Sequence, residues 1–248
     1  MKNPSRNKIL VIVSSLGMLI FNLYAEWLPI NGITRLDVLD SIPIYFMPSR
    51  YVYNIWYLIY ALMIVVCIFL FFSKKDLNNK LTKWIMIVNL TNIVWVLVWH
   101  FMLTGLGAIA SAIIFLSLLI IYIELSKIKF SSVLKIFVSV YTPWMMIVML
   151  SNLAASNYMA RGGEFFFSPE LTAIFLIILI TLPGVIALVF KNDFVFPTVI
   201  LFALLGILTK HFYESEAIVA IASISSFILF VGIVIGMIRD SLYKPSKP

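Results

Sequence analysis

Charge is what this chain has least of. Asp, Glu, Lys and Arg make up 12% of its 248 residues, against 62% apolar residues, whereas a soluble domain carries about 25% charged residues. A water-soluble fold of this length cannot hide so much apolar surface, so the solvent for most of the chain is lipid. Cysteine is nearly missing too. Cys67 is the only one, which excludes an intrachain disulfide or a cysteine-built metal site. Set among apolar neighbours, it reads as a packing residue. There is no HExxH, no GxSxG, no phosphate-cradling glycine loop and no paired carboxylate inside an apolar run. The middle of each apolar run holds no ionised side chain, which argues against a proton- or sodium-coupled transporter. Uncoupled movement of a hydrophobic molecule stays open.

Long apolar runs are abundant. Eight are near the length a bilayer core demands, roughly 20 residues: about 9–24, 51–72, 84–103, 106–125, 133–153, 171–190, 194–209 and 217–238. The seventh is the shortest. The runs are continuous rather than alternating, which excludes a β-barrel. The expectation is an all-α polytopic integral membrane protein with about eight transmembrane helices. The net charge of +7 is not a polyanion footprint. With the N-terminus in the cytoplasm, 14 of the 18 Lys and Arg residues fall in cytoplasmic segments, leaving Arg35, Arg50, Arg161 and Lys210 outside. That bias sets orientation. It agrees with an even helix count and puts both termini in the cytoplasm, with no nucleic-acid partner. The basic start Met1–Lys8 and the apolar Ile9–Tyr24 also have the make-up of a signal peptide, with Leu23-Tyr24-Ala25 as a weak cleavage site. The charge agreement favours a retained first helix.

Two polar features stand out. The connector Glu26–Arg50 is long for a compact protein and holds Asn31-Gly32, three prolines and the amphipathic stretch Leu36–Asp40; such connectors are often lids or binding loops. In contrast, Thr104-Gly105 barely turns the chain, so the helices on either side are antiparallel neighbours. Within the third run, Asn92, Trp95 and Trp99 share a helix face. At the start of the second, Tyr53, Trp56, Tyr57 and Tyr60 do the same, as do Tyr141, Trp144, Ser151 and Asn152 in the fifth. Interfacial anchoring explains some of these rings, and helix–helix glue explains some of the amides. The whole set, at similar depth beneath the connector, reads better as a ligand pocket: apolar walls with a few fixed polar groups. Trp56, Trp95, Trp99 and Trp144 would be stacking walls around a shared void. Tyr60, Asn92, Tyr141 and Asn152 would orient a guest, with Tyr53 beside them.

The same residues resemble the TspO/MBR family of tryptophan-rich sensory proteins, which includes the translocator protein of animals. Phe46-Met47-Pro48-Ser49-Arg50-Tyr51-Val52-Tyr53-Asn54-Ile55-Trp56, followed by Tyr60, is similar to that family's PPGWxFxxxW…Y stretch. Asn92-Ile93-Val94-Trp95 with Trp99 is similar to its LNxxW…FF stretch. Tyr141-Thr142-Pro143-Trp144 with Asn152 is similar to its PYxxW…LN stretch. Here the double proline and glycine are reduced to Pro48-Ser49-Arg50, and the proline of the third motif sits directly before Trp144. The resemblance covers about residues 9–155. It implies a five-helix bundle (1–155, outer loop 26–50), followed by a separate three-helix extension with a short cytoplasmic tail (156–248). It further implies a bacterial cell membrane, a hydrophobic small-molecule partner of the tetrapyrrole or sterol kind, no required cofactor, and a homodimer. The expectation is that no GxxxG face is present to support the dimer.

The function expected is binding of a flat hydrophobic ligand, with sensing or translocation of it both open. One alternative is an uncoupled transporter or permease subunit. Another is a membrane enzyme acting on a lipid or tetrapyrrole through His100, Asp37 or Asp40. No catalytic or metal-binding residue is nominated.

Overall fold

The computed structural model describes residues 5–32, 41–127 and 132–243; the amphipathic stretch Leu36–Asp40 lies outside them. Among the described residues there are eight α-helices: α1 Arg6–Trp27, α2 Ile55–Phe72, α3 Asn79–His100, α4 Thr104–Lys127, α5 Ser132–Ala160, α6 Pro169–Lys191, α7 Val195–His211 and α8 Glu216–Tyr243. Seven spans are long and apolar enough to cross a membrane, α2 being extended by a 3-10 turn; α7 is the shorter apolar helix. Large apolar side chains such as Ile20, Phe190 and Phe227 remain exposed, as they would facing lipid. The protein is an integral membrane protein.

Two units are separated by their backbone contacts: residues 1–44 with 55–166, and residues 45–54 with 167–248. In the first, α1 packs on α2 and α3, α4 on α3 and α5, and α5 on α2, closing a ring in the order α1–α3–α4–α5–α2. α2 and α3 thus flank α1. Asn78 caps α3, its Oδ1 accepting from the Leu81 amide at 2.8 Å. The α3–α4 reversal is as tight as the sequence suggests, but Met102 (φ 55°) makes it rather than Gly105, which is already helical. The Met102 and Leu103 amides close the turn on Trp99 O and Val98 O. α5 is buried on nearly every side from Phe137 to Leu150. It runs through Pro143, with Thr142 Oγ1 donating to Val138 O at 2.7 Å.

In the second unit α6, α7 and α8 pack against one another, and the 3-10 turn Arg50–Asn54 packs on α7. Ser168 caps α6 ahead of Pro169. Ser49 holds the approach to the turn, its amide donating to Gly206 O at 3.1 Å and its Oγ at 2.9 Å. Gly232 and Gly236 form a GxxxG pair on α8, which corrects the expectation that no such face is present. It is used inside this unit, since a Cβ on Gly232 would meet Leu188 Cδ1 at 2.9 Å and one on Gly236 would meet the Phe194 ring.

Candidate ligand site

The aromatic residues singled out on α2, α3 and α5 converge in the first unit. Trp56 is the hub. Its ring lies 5.8 Å from Trp95 and 6.0 Å from Tyr60, each at 28° between planes. It meets Tyr141 and Trp144 edge-on, both at 6.1 Å. Trp95 continues the stack to Trp99 at 6.2 Å. Offset-stacked and edge-to-face pairs at these separations attract one another. All six rings are buried, Tyr141 and Trp144 almost completely.

A chain of polar side chains runs beside the rings. Asn22 Nδ2 donates to Asn92 Oδ1 at 2.7 Å, Asn92 Nδ2 donates to the Tyr141 hydroxyl at 3.1 Å, and the Tyr60 hydroxyl donates to Asn22 Oδ1 at 3.1 Å. Trp95 Nε1 donates to Asn152 Oδ1 at 3.4 Å, while Asn152 Nδ2 donates to Val148 O at 2.7 Å. Gly107 lets α4 approach here: a Cβ on it would lie 3.2 Å from Asn152 Oδ1 and 3.7 Å from the Trp99 ring. Asn22 joins three helices and was not picked out in the sequence. Its signal is an amide inside the apolar run 9–24, the same signal that drew attention to Asn92.

Three expectations need correction. Among the described residues, the cleft beside the rings is nearly closed. The cleft lined by Asn22, Ala25, Glu26, Trp56, Tyr60, Trp95, Val96, Trp99 and His100 holds about 20 Å³, room for about one water, whereas small-molecule pockets span roughly 300–1,000 Å³. The rings fill the space by stacking on one another. Next, Tyr60, Asn92, Tyr141 and Asn152 are engaged with protein groups: the bonds of the first three join helices, while Asn152 donates to Val148 O within α5 and accepts from Trp95. Finally, Tyr53 is grouped apart from Trp56 and Tyr60. It lies half-buried in the 3-10 turn ahead of α2, and it belongs to the second unit. Tyr57 is exposed, with its hydroxyl 3.4 Å from Glu26 Oε1. His100, set aside in the sequence except as an enzyme candidate, lines the cleft.

A larger groove of about 520 Å³ runs between α1 and α3 from Arg6, Asn79 and Lys83 to Leu90. It is open and carries none of the aromatic residues, so volume alone is a poor guide to the site here.

Fold and site together define a helical membrane protein with an aromatic and amide-lined interior. The chain belongs to the TSPO-like protein family, whose model matches residues 8–235. The match runs through α6, α7 and most of α8, well beyond the 9–155 over which the motifs carry the resemblance. No curated protein and no solved structure matches the chain at a significant level.

Proposed function

We propose that this protein binds a flat hydrophobic molecule, tetrapyrrole- or sterol-like, in the aromatic cleft between α1, α2 and α3. The observation that carries the reading is the stack of near-parallel rings, Tyr60, Trp56, Trp95 and Trp99, along a cleft that reaches the bundle surface beside Glu26. A planar guest enters such a stack by parting two rings by about one ring thickness, roughly 3.5 Å. The arrangement described is the closed one, so apparent affinity is lowered by the fraction of molecules that are open. The charge bias orients the bundle with both termini cytoplasmic and the cleft toward the opposite leaflet. Sensing or passage of the ligand would each begin with this binding step.

The test is quenching of tryptophan fluorescence by protoporphyrin IX in detergent. Native protein should show saturable quenching, and the Trp95→Ala, Trp144→Ala double variant should bind at least about tenfold more weakly, a loss of about 1.4 kcal/mol. Equal affinity in the double variant overturns the reading. The filled interior favours a second reading, in which the rings are a packing core with no guest. That reading expects the double variant to lose stability while the native protein shows no saturable quenching.

A further inference from the structure

Resting on the ligand-site reading above, we propose that His100 decides which ligands the cleft accepts. It selects a flat hydrophobe that carries a neutral hydrogen-bond donor, a hydroxyl or an N–H, and receives that donor at Nε2. The reasoning is hydrogen-bond accounting. The amides and phenols along the stack bond to one another or to backbone carbonyls. His100 differs. It is 2% exposed and lines the cleft at the last residue of α3. Its Nδ1 lies 2.8 Å from the Val96 carbonyl, and a carbonyl can only accept, so Nδ1 carries the proton. The neutral ring then holds a lone pair on Nε2. That atom is buried and makes no hydrogen bond among the described residues. Imidazole geometry turns it away from the helix backbone that Nδ1 engages.

A buried acceptor left unmade is costly, and a donor brought to it recovers the loss. The cleft's volume of about 20 Å³ suits a hydroxyl-sized group, and the walls that would flank the attached ring system are Trp99, Trp95, Trp56 and Tyr60. The cleft is also lined by Asn22, whose Oδ1 accepts from Tyr60, and by the Glu26 carboxylate, 3.4 Å from the Tyr57 hydroxyl. A ligand carboxylate would meet two electron-rich groups there, whereas an alcohol meets two acceptors.

The experiment compares two flat probes, 1-pyrenemethanol and 1-(methoxymethyl)pyrene, by tryptophan-to-pyrene energy transfer in detergent. The alcohol can donate and the ether cannot. Native protein should bind the alcohol about tenfold more tightly, the scale of one buried hydrogen bond. In His100→Phe the alcohol should fall to the ether's affinity while the ether's own affinity holds, which also reports that the variant folds. Equal affinities in the native protein, which needs no variant, overturn the proposal, as does a preference that survives in His100→Phe. If neither probe binds, or if binding ignores the Trp95→Ala, Trp144→Ala change, the ligand-site reading itself falls and takes the proposal with it. Tryptophan-dependent binding without an alcohol preference defeats the His100 assignment alone.

Discussion

The two units join their helices by different means. In α1–α5 the joints are polar side chains meeting across helices: Asn22 with Asn92 and Tyr60, Asn92 with Tyr141, and Asn89 with Ser14 and Ser15, both at 3.0 Å. In α6–α8 they are small residues. Gly184 lies where a Cβ would meet Leu229 at 3.0 Å and Ile200 at 3.1 Å, while Gly206 faces Val52 and Pro48. The hydroxyls of Thr181 and Thr198 bond back to their own helices at 2.7 Å. Bonds between side chains there, Ser215 with Glu170, Arg239 with Asn192, and Ser49 with Thr209, sit at helix ends. Close packing of small residues needs only matching shape. A hydrogen bond between helices also fixes their rotation and register, because its geometry is narrow. The unit that must hold six rings at set angles uses the second device.

The largest expected effect breaks the glycine joint. A Cβ on Gly206 would fall inside the van der Waals envelope of Val52 and 3.0 Å from Pro48 Cβ. Gly206→Val should therefore destabilise by about 3 kcal/mol, the upper end for overpacking. All six tryptophans fall in the first unit, so their fluorescence follows that unit, while circular dichroism follows all the helices. The expected signature is early loss of helicity on denaturation with a smaller change in the fluorescence midpoint. A native-like helicity curve would remove the glycines from the account of α6–α8.

The polar joint should give less. Asn92→Leu strips the partner from Asn22 and Tyr141 in a fully buried setting, at a cost of about 2 kcal/mol. Interhelical hydrogen bonds in membrane bundles contribute only about 0.6 to 1.7 kcal/mol each, so the pair should be tested by a double-mutant cycle with Asn22→Leu, followed by tryptophan fluorescence. Coupling of about 1 kcal/mol is expected. Additive losses would mean that Asn22 and Asn92 do not act as one joint, and the contrast between the units would lose its main support.

Much of this was legible in the sequence, for a physical reason. Lipid exposure makes helices visible as apolar runs, and helical periodicity assigns each side chain to a face. Trp56, Trp95, Tyr141 and Trp144 could therefore be grouped before any coordinates existed. What periodicity does not carry is the distance between helices. That distance decides whether four indoles surround a chamber or close it, and among the described residues the cleft beside them holds about 20 Å³. Nor does it carry partner choice. The first run contains one amide, Asn22, in a segment that also reads as a signal peptide, and nothing local says that it meets α2 and α3 together. Tyr53 lies in a 3-10 turn that groups with the second unit, and a continuous apolar run does not show where one unit gives way to the next. His100 became informative only when hydrogen bonds could be counted.

The smallest effect tests where the site unit stops being a joint and becomes an instrument for its rings. Asn152 Oδ1 accepts from Trp95 Nε1 at 3.4 Å, a long bond, while its Nδ2 is anchored to Val148 O in the same helix. Asn152→Leu keeps a side chain of similar size beside Gly107 and leaves the indole N–H without that acceptor. A long neutral hydrogen bond contributes little, so the stability loss should be about 0.5 kcal/mol. The indole should feel it more: Trp95 loses a polar neighbour, and emission should shift to shorter wavelength with nearly unchanged unfolding. If stability instead falls as far as in Asn92→Leu, the Trp95–Asn152 pair is a second interhelical joint between α3 and α5. The distinction drawn here between polar groups that hold helices and polar groups that tune rings would then have to be given up.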